Sequence, residues 1–192
     1  MGVILLLAVA ATTVWLIVAY NGLIALMNQV ANAWTQIDVQ LKRRHDLIPN
    51  LVSAVRGAME FERDTLDAVV RARNHAVAAQ SAGDVGQTAA AEAQLTGALG
   101  RLLAVVEAYP QLTATSNVAR LQEELASTEN RLAFARQLYN DTATQYNTRQ
   151  RQFPTNLVAG LARATVVDLW EIEDAGERAA PRVDLSAPRA RR

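Results

Sequence analysis

The chain contains no cysteine, so disulfides, thiol nucleophiles and thiolate metal sites are all excluded. It also lacks a charge surplus. Nineteen basic and nineteen acidic residues cancel, which argues against a protein that holds nucleic acid through its overall charge. Histidine occurs twice, at His45 and His75. His45 and Asp46 are adjacent, and neighbours on a helix point about 100° apart, so they cannot grip one metal or form a dyad. There is no His-Glu-x-x-His pattern, and neither metal, cofactor nor acid-base catalysis is expected. Aromatics make up only 5%, and nine glycines and five prolines fall mostly near the ends of apolar segments. What remains, rich in alanine, leucine, glutamine, glutamate and arginine, is a helix-former's composition and predicts an all-α fold.

Charge is also missing locally. The first charged side chain is Asp38, and residues 3–20, VILLLAVAATTVWLIVAY, are almost wholly apolar. As a helix this run spans roughly 27 Å at about 1.5 Å per residue, enough for a bilayer core. A cleaved leader is the competing reading, since Ala8-Val9-Ala10 is an A-x-A pattern. However, only Val3 to Leu7 would form its apolar core, and no Lys or Arg precedes it, so an uncleaved single-pass anchor over 1–20 is expected. Lys42, Arg43 and Arg44 are the nearest cations, and with an uncharged N-terminal side the bulk leans to the cytoplasm.

From Leu23 the apolar residues fall at alternating gaps of four and three, through Met27, Val30, Trp34, Ile37 and Leu41, then Arg44, then Ile48, Leu51, Val55 and Ala58. That spacing is a coiled-coil-like helical seam, and because it stays in phase across Pro49 a kink is expected there rather than a break. Further runs are predicted at 59–80, 89–109 and 117–153. The turn SAGDVGQT, Pro110 and Pro154 separate or close them, and Thr115, Ser116 or Asn117 would cap the last. At about 1.5 Å per residue the runs from 21–57 onward measure roughly 55, 33, 31 and 55 Å. Long-short-short-long lengths favour an antiparallel four-helix bundle over 21–154 in which the first and last helices pair along their whole length. The tail, 155–192, is apolar and then acidic and basic. It is expected to be mostly disordered, with Leu157 to Val167 emerging at the lipid surface.

Such a pairing places Phe153 beside Asn21 and brings Arg44 opposite residue 130. A seam arginine without a partner would cost several kcal/mol, so a pair with Glu129, next to Asn130, is expected to fix helix register, Glu123 and Glu124 being alternates. Trp34 falls near Tyr139 as core. Lys42, Arg43 and His45 offer a lipid or partner contact on the outer face. Asn28, Asn32, Gln36 and Gln40 repeat every four residues, either as a solvated face or as an oligomer interface.

Several long stretches resemble the LemA family of bacterial proteins. They are AWTQIDVQLKRRHDLIPNLVSAVRG (33–57), LLAVVEAYPQL (102–112), LQEELASTENRLAFARQLYNDTATQYN (121–147), FPTNLVAGL (153–161) and EDAGERAAPRVDL in the tail. The resemblance implies a short membrane anchor followed by a four-helix bundle, with no established enzymatic activity. Family members that occur beside membrane metalloproteases or in magnetosome-forming systems imply a membrane-organising or adaptor role. Where members often carry His-Glu, this chain has Phe61-Glu62, so a metal reading built on that histidine does not carry over. The expectation is a non-enzymatic scaffold of the bacterial inner membrane that contacts lipid, forms homo-oligomers and serves a membrane protease or envelope-organising protein. The alternative is a ligand- or lipid-responsive module hinged at Pro49.

Overall fold

A computed structural model describes residues 1–57, 59, 62–109 and 116–171. It contains α1 (Gly2–Arg56), α2 (Arg63–Ala82), α3 (Val85–Glu107), α4 (Ser116–Arg151) and a short α5 (Asn156–Ala159), with no strand among the described residues. Of the candidate caps, Ser116 and Asn117 lie inside α4, and Thr115 is outside the described residues, as is Ala58.

α1 runs unbroken through Pro49. Its N-terminal part is long and apolar enough to cross a membrane, and side chains such as Leu5, Val9 and Val18 are more than half exposed among the described residues. Burial begins at Ala19 and Leu23. From there α1 and α4 pair closely, while α2 and α3 form a hairpin of their own. The hairpin turn is set locally. Gly83 closes α2 at φ 76, a left-handed conformation that glycine adopts without cost, and the Asp84 carboxylate accepts from Gln87 N at 2.7 Å to start α3. That cap lets α3 begin four residues before the expected Ala89.

Two apolar cores result. In the distal one, Ile48, Leu51 and Val55 of α1 meet Leu66 and Val69 of α2, Leu95 and Leu102 of α3, and Val118 and Leu121 of α4. In the proximal one, α1 and α4 pack through Leu23, Ile37, Leu41, Leu132, Tyr139 and Tyr146, with Ala89 and Trp170 closing one side. The bundle is therefore four-helical only in its distal half. Two expected seam residues lie outside these cores. Met27 and Phe153 are 38% and 79% exposed, Phe153 because α4 has ended at Arg151.

The segment after α4 is not a free tail. A helical turn around α5 ends in a Schellman motif: Arg163 sits at φ 51, Ala164 N donates to Ala159 O, and Arg163 N donates to Gly160 O. The chain then climbs back along α4 as an extended strap, 164–171, and carries Val167 into contact with the proximal core instead of leaving it at the lipid surface. The expected disorder of 172–192 lies outside the described residues.

Candidate functional site

The two cores are separated by a buried polar layer. On α1 it comprises Arg44 and His45, between Leu41 and Leu47; on α3, Glu92; on α4, Thr128, between Leu125 and Leu132, with the half-exposed Glu129 at its edge. Arg44, His45 and Glu92 are 4%, 2% and 1% exposed. Such groups can be buried only if they satisfy one another. The Glu92 carboxylate accepts from Arg44 Nη1 at 3.0 Å and pairs with His45 Nε2 at 2.6 Å. Arg44 Nη1 also lies 3.1 Å from Glu129, and its Nη2 donates to Thr96 Oγ1 at 2.9 Å. The structure thus brings Arg44 and Glu129 together, and adds Glu92, which sequence reasoning missed. A signal existed, since Glu92 is in phase with Leu95, Leu99, Leu102 and Val106 along the α3 seam, as Arg44 is on α1.

His45 does not face outward. In the distal half α1 is covered by α4 and by the α2–α3 hairpin, so its buried arc is wider than one seam and takes in adjacent positions such as Arg44-His45 and Leu51-Val52. Lys42 and Arg43 are exposed. Asn130 is exposed too, pointing away from the layer that its neighbour Glu129 enters.

Pro49 itself is exposed. Its ring nitrogen cannot donate to the carbonyl four residues earlier, that of His45. Arg73 of α2 supplies the missing donor, Nε to His45 O at 3.2 Å. A second tie joins Gln80 Nε2 to Asp38 Oδ1 at 2.6 Å. The position read as a hinge is fastened to α2.

Below the layer, the strap is held by two asparagines. Asn140 donates Nδ2 to Trp170 O (3.0 Å) and accepts from Trp170 N (2.8 Å), and Asn147 does the same with Val167 (2.7 and 2.9 Å). A primary amide is the right group, because it matches the donor and acceptor of one backbone residue at once. The spacing fits as well: seven helical residues rise about 10.5 Å, and three extended ones cover about 10 Å. Trp170, 4% exposed, packs 6.1 Å from Trp34 and lies beneath Arg136, whose guanidinium carbon is 4.8 Å from the ring centroid. Trp34 in turn meets Tyr139 edge-on at 5.4 Å. Arg136 Nη1 also lies 3.5 Å from Glu129, so the strap and the polar layer share one network of contacts.

Tyr139 Oη donates to Asp168 O at 2.7 Å. Burial, and secondarily the Asp168 carboxylate, push its phenol up from 10.0 to about 12. A raised folded pKa means that this contribution is complete below the unfolded pKa and is lost as pH rises through the folded one. The difference in denaturation midpoint between the parent and Tyr139→Phe is therefore expected to hold constant to about pH 10 and to vanish towards about pH 12. A difference already gone near neutrality would contradict the assignment.

Glu92 is fully engaged by Arg44 and His45, His75 is exposed, and no group of three or more metal-ligating side chains occurs among the described residues. Of the uncharged stripe, Asn28, Asn32 and Gln36 are exposed and Gln40 is half-buried.

Two magnetosome proteins align along most of the chain: MamQ 2 of Paramagnetospirillum magneticum is 24% identical, covering 91% of this chain and 73% of its own, and MamQ of Magnetospirillum gryphiswaldense is 22% identical, covering 89% and 71%. Protein LemA of Metamycoplasma hominis is 28% identical over 72% of this chain and 63% of its own. Residues 33–185 match the LemA family, and this membrane-associated helical chain belongs to that family.

Proposed function

We propose that the chain is a non-enzymatic scaffold of the bacterial inner membrane, held by a single-pass anchor with its bundle on the cytoplasmic side, which associates laterally with copies of itself and presents the bundle to membrane-protein partners. The observation that carries this reading is an uncovered flank of the α1–α4 pair. Arg136, Asn140 and Asn147 turn towards the strap. Phe134 lies two residues from Arg136, about 200° around the helix, and so faces the other way. On that flank Val39, Phe134 and Leu138 are 56%, 75% and 43% exposed, and they line an open groove with Gln36, Gln40 and Arg131. Gln40 is itself only half-buried and sits at the edge of this groove. An apolar strip rimmed by glutamines and a single arginine has the composition of an interface. A membrane anchor confines encounters to lateral ones, which is the direction this flank faces. Relatives named as magnetosome proteins are in keeping with a role in membrane organisation, and a membrane protease or an envelope-organising protein is the partner class envisaged.

The native chain lacks cysteine, so a single introduced thiol reports its own contacts. Phe134→Cys is expected to give a disulfide-linked dimer when isolated native membranes are oxidised with copper–phenanthroline, whereas Arg120→Cys on the distal surface is not. Phe134→Glu with Leu138→Lys should shift the detergent-solubilised protein to a monomer. A monomer in the parent chain, with no crosslink at residue 134, would overturn the proposal.

A further inference from the structure

The foot of the molecule carries a second uncovered apolar face. Phe153, Leu157 and Leu161 follow at spacings of four and are 79%, 64% and 74% exposed. The intervening Thr155 and Val158 are 3% and 1% exposed, so the segment is amphipathic: its inner side seals the bundle and its outer side is bare. α5 packs against α1 and α4. On α1, burial starts at Ala19 and Leu23, which places the foot where the apolar run 3–20 ends. The charge pattern is one-sided. Between Asp141 and Asp168 there is no acidic residue, and the three cations in that interval, Arg149, Arg151 and Arg163, are all exposed.

We infer that this foot is a lipid-binding surface: Phe153, Leu157 and Leu161 enter the headgroup boundary of the leaflet from which the bundle emerges, while Arg149, Arg151 and Arg163 contact anionic phospholipid headgroups. Three observations select lipid over another protein. The face is contiguous with the apolar helix, it lies at that helix's end, and its rim is purely cationic, as an amphipathic interfacial segment requires. The consequence is a bundle with two membrane attachments, the anchor and the foot, so that the long axis of the α1–α4 pair is fixed relative to the bilayer instead of pivoting on one helix. The uncovered flank around Phe134 is then held in the orientation that lateral association needs. The inference rests on the reading of residues 3–20 as a membrane anchor.

The test uses the full chain reconstituted in vesicles of phosphatidylcholine with phosphatidylglycerol, carrying a single spin label at Leu157→Cys, Leu161→Cys, Val9→Cys or Arg120→Cys. Labels at 157 and 161 should collide several-fold more with lipid-soluble oxygen, relative to a water-soluble nickel chelate, than the label at 120. Replacing Arg149, Arg151 and Arg163 by glutamine should lower that ratio towards its value in pure phosphatidylcholine. If position 9 is lipid-exposed while 157 and 161 behave like 120, the foot is overturned and the anchor stands. A position 9 in water would overturn both. Labels at 157 and 161 shielded from both colliders would mean that protein covers the face, which also overturns the inference.

Discussion

Glu92→Ala is expected to destabilise the bundle by about 3–5 kcal/mol, the usual cost of leaving a buried charge without its partner. The carboxylate holds both Arg44 and His45, each less than a twentieth exposed, so its removal strands two polar groups between two apolar cores. Glu129 touches the same guanidinium but its side chain is 40% exposed. Glu129→Ala should therefore cost no more than about 1 kcal/mol, as for other solvent-screened pairs. Denaturant midpoints of the full chain in detergent, followed by helical circular dichroism, separate the two. A third variant identifies what the layer contributes. Replacing Arg44, His45 and Glu92 together by leucine or methionine should leave stability close to that of the parent, because a well-packed apolar layer often equals or exceeds a buried ion pair. It should instead loosen register, seen as lost dispersion among amide resonances, because nothing would then prevent Leu41, Ile48 and Leu95 from sliding past their partners. A Glu92→Ala variant as stable as the parent would show that the layer is hydrated.

Trp170→Ala is the second large effect, and its form differs. Truncating a buried tryptophan costs about 3–5 kcal/mol when the whole structure must bear it. Trp170 sits on a peripheral strap, however, so the cost is limited by the free energy with which the strap docks and appears as local release before global unfolding. The amides of Val167 and Trp170, which donate to Asn147 and Asn140, should lose protection from hydrogen exchange by about a hundredfold, corresponding to about 2.7 kcal/mol, while amides of the distal core such as Leu51 and Leu102 keep theirs. Asn140→Asp tests the clamp alone. It retains an acceptor for Trp170 N but sets a carboxylate against Trp170 O, and should release the same amides without creating a cavity. Because Arg136 bridges Trp170 and Glu129, Trp170→Ala combined with Glu129→Ala is expected to be non-additive. Equal protection in parent and Trp170→Ala would mean that the strap is not held by this residue.

The contrast between these sites shows what the sequence disclosed. The pairing of α1 with α4 was legible because two long apolar seams admit one full-length antiparallel register, and that register alone put Arg44 opposite Glu129 and Trp34 opposite Tyr139. Glu92 was equally in phase on α3, but a short helix fixes its own height poorly without its turn, and the Asp84 cap that starts α3 four residues early was not anticipated. His45 was assigned to the wrong face because a single 3.5-residue seam describes a helix with one neighbour, whereas α1 has neighbours on two sides in its distal half. The strap could not be read from periodicity, since TVVDLW has none, and its ladder is made by side chains of a helix rather than by a second strand. The trace it left was a pair of asparagines seven residues apart on α4, facing a tryptophan in a segment otherwise taken for tail.

The course of the strap also sets a height. Its last well-packed residue, Trp170, lies against Trp34, fourteen helical residues beyond Tyr20, or about 21 Å along α1 at 1.5 Å per residue. A peptide or reporter domain joined after Glu171 therefore starts well above the end of the apolar run, although in sequence it follows closely on α5 at the foot of the bundle. Docked, the strap works as a spacer arm that returns the backbone from the foot to the level of Trp34; released, it would leave Trp34 without its tryptophan neighbour and the Tyr139 hydroxyl without its acceptor.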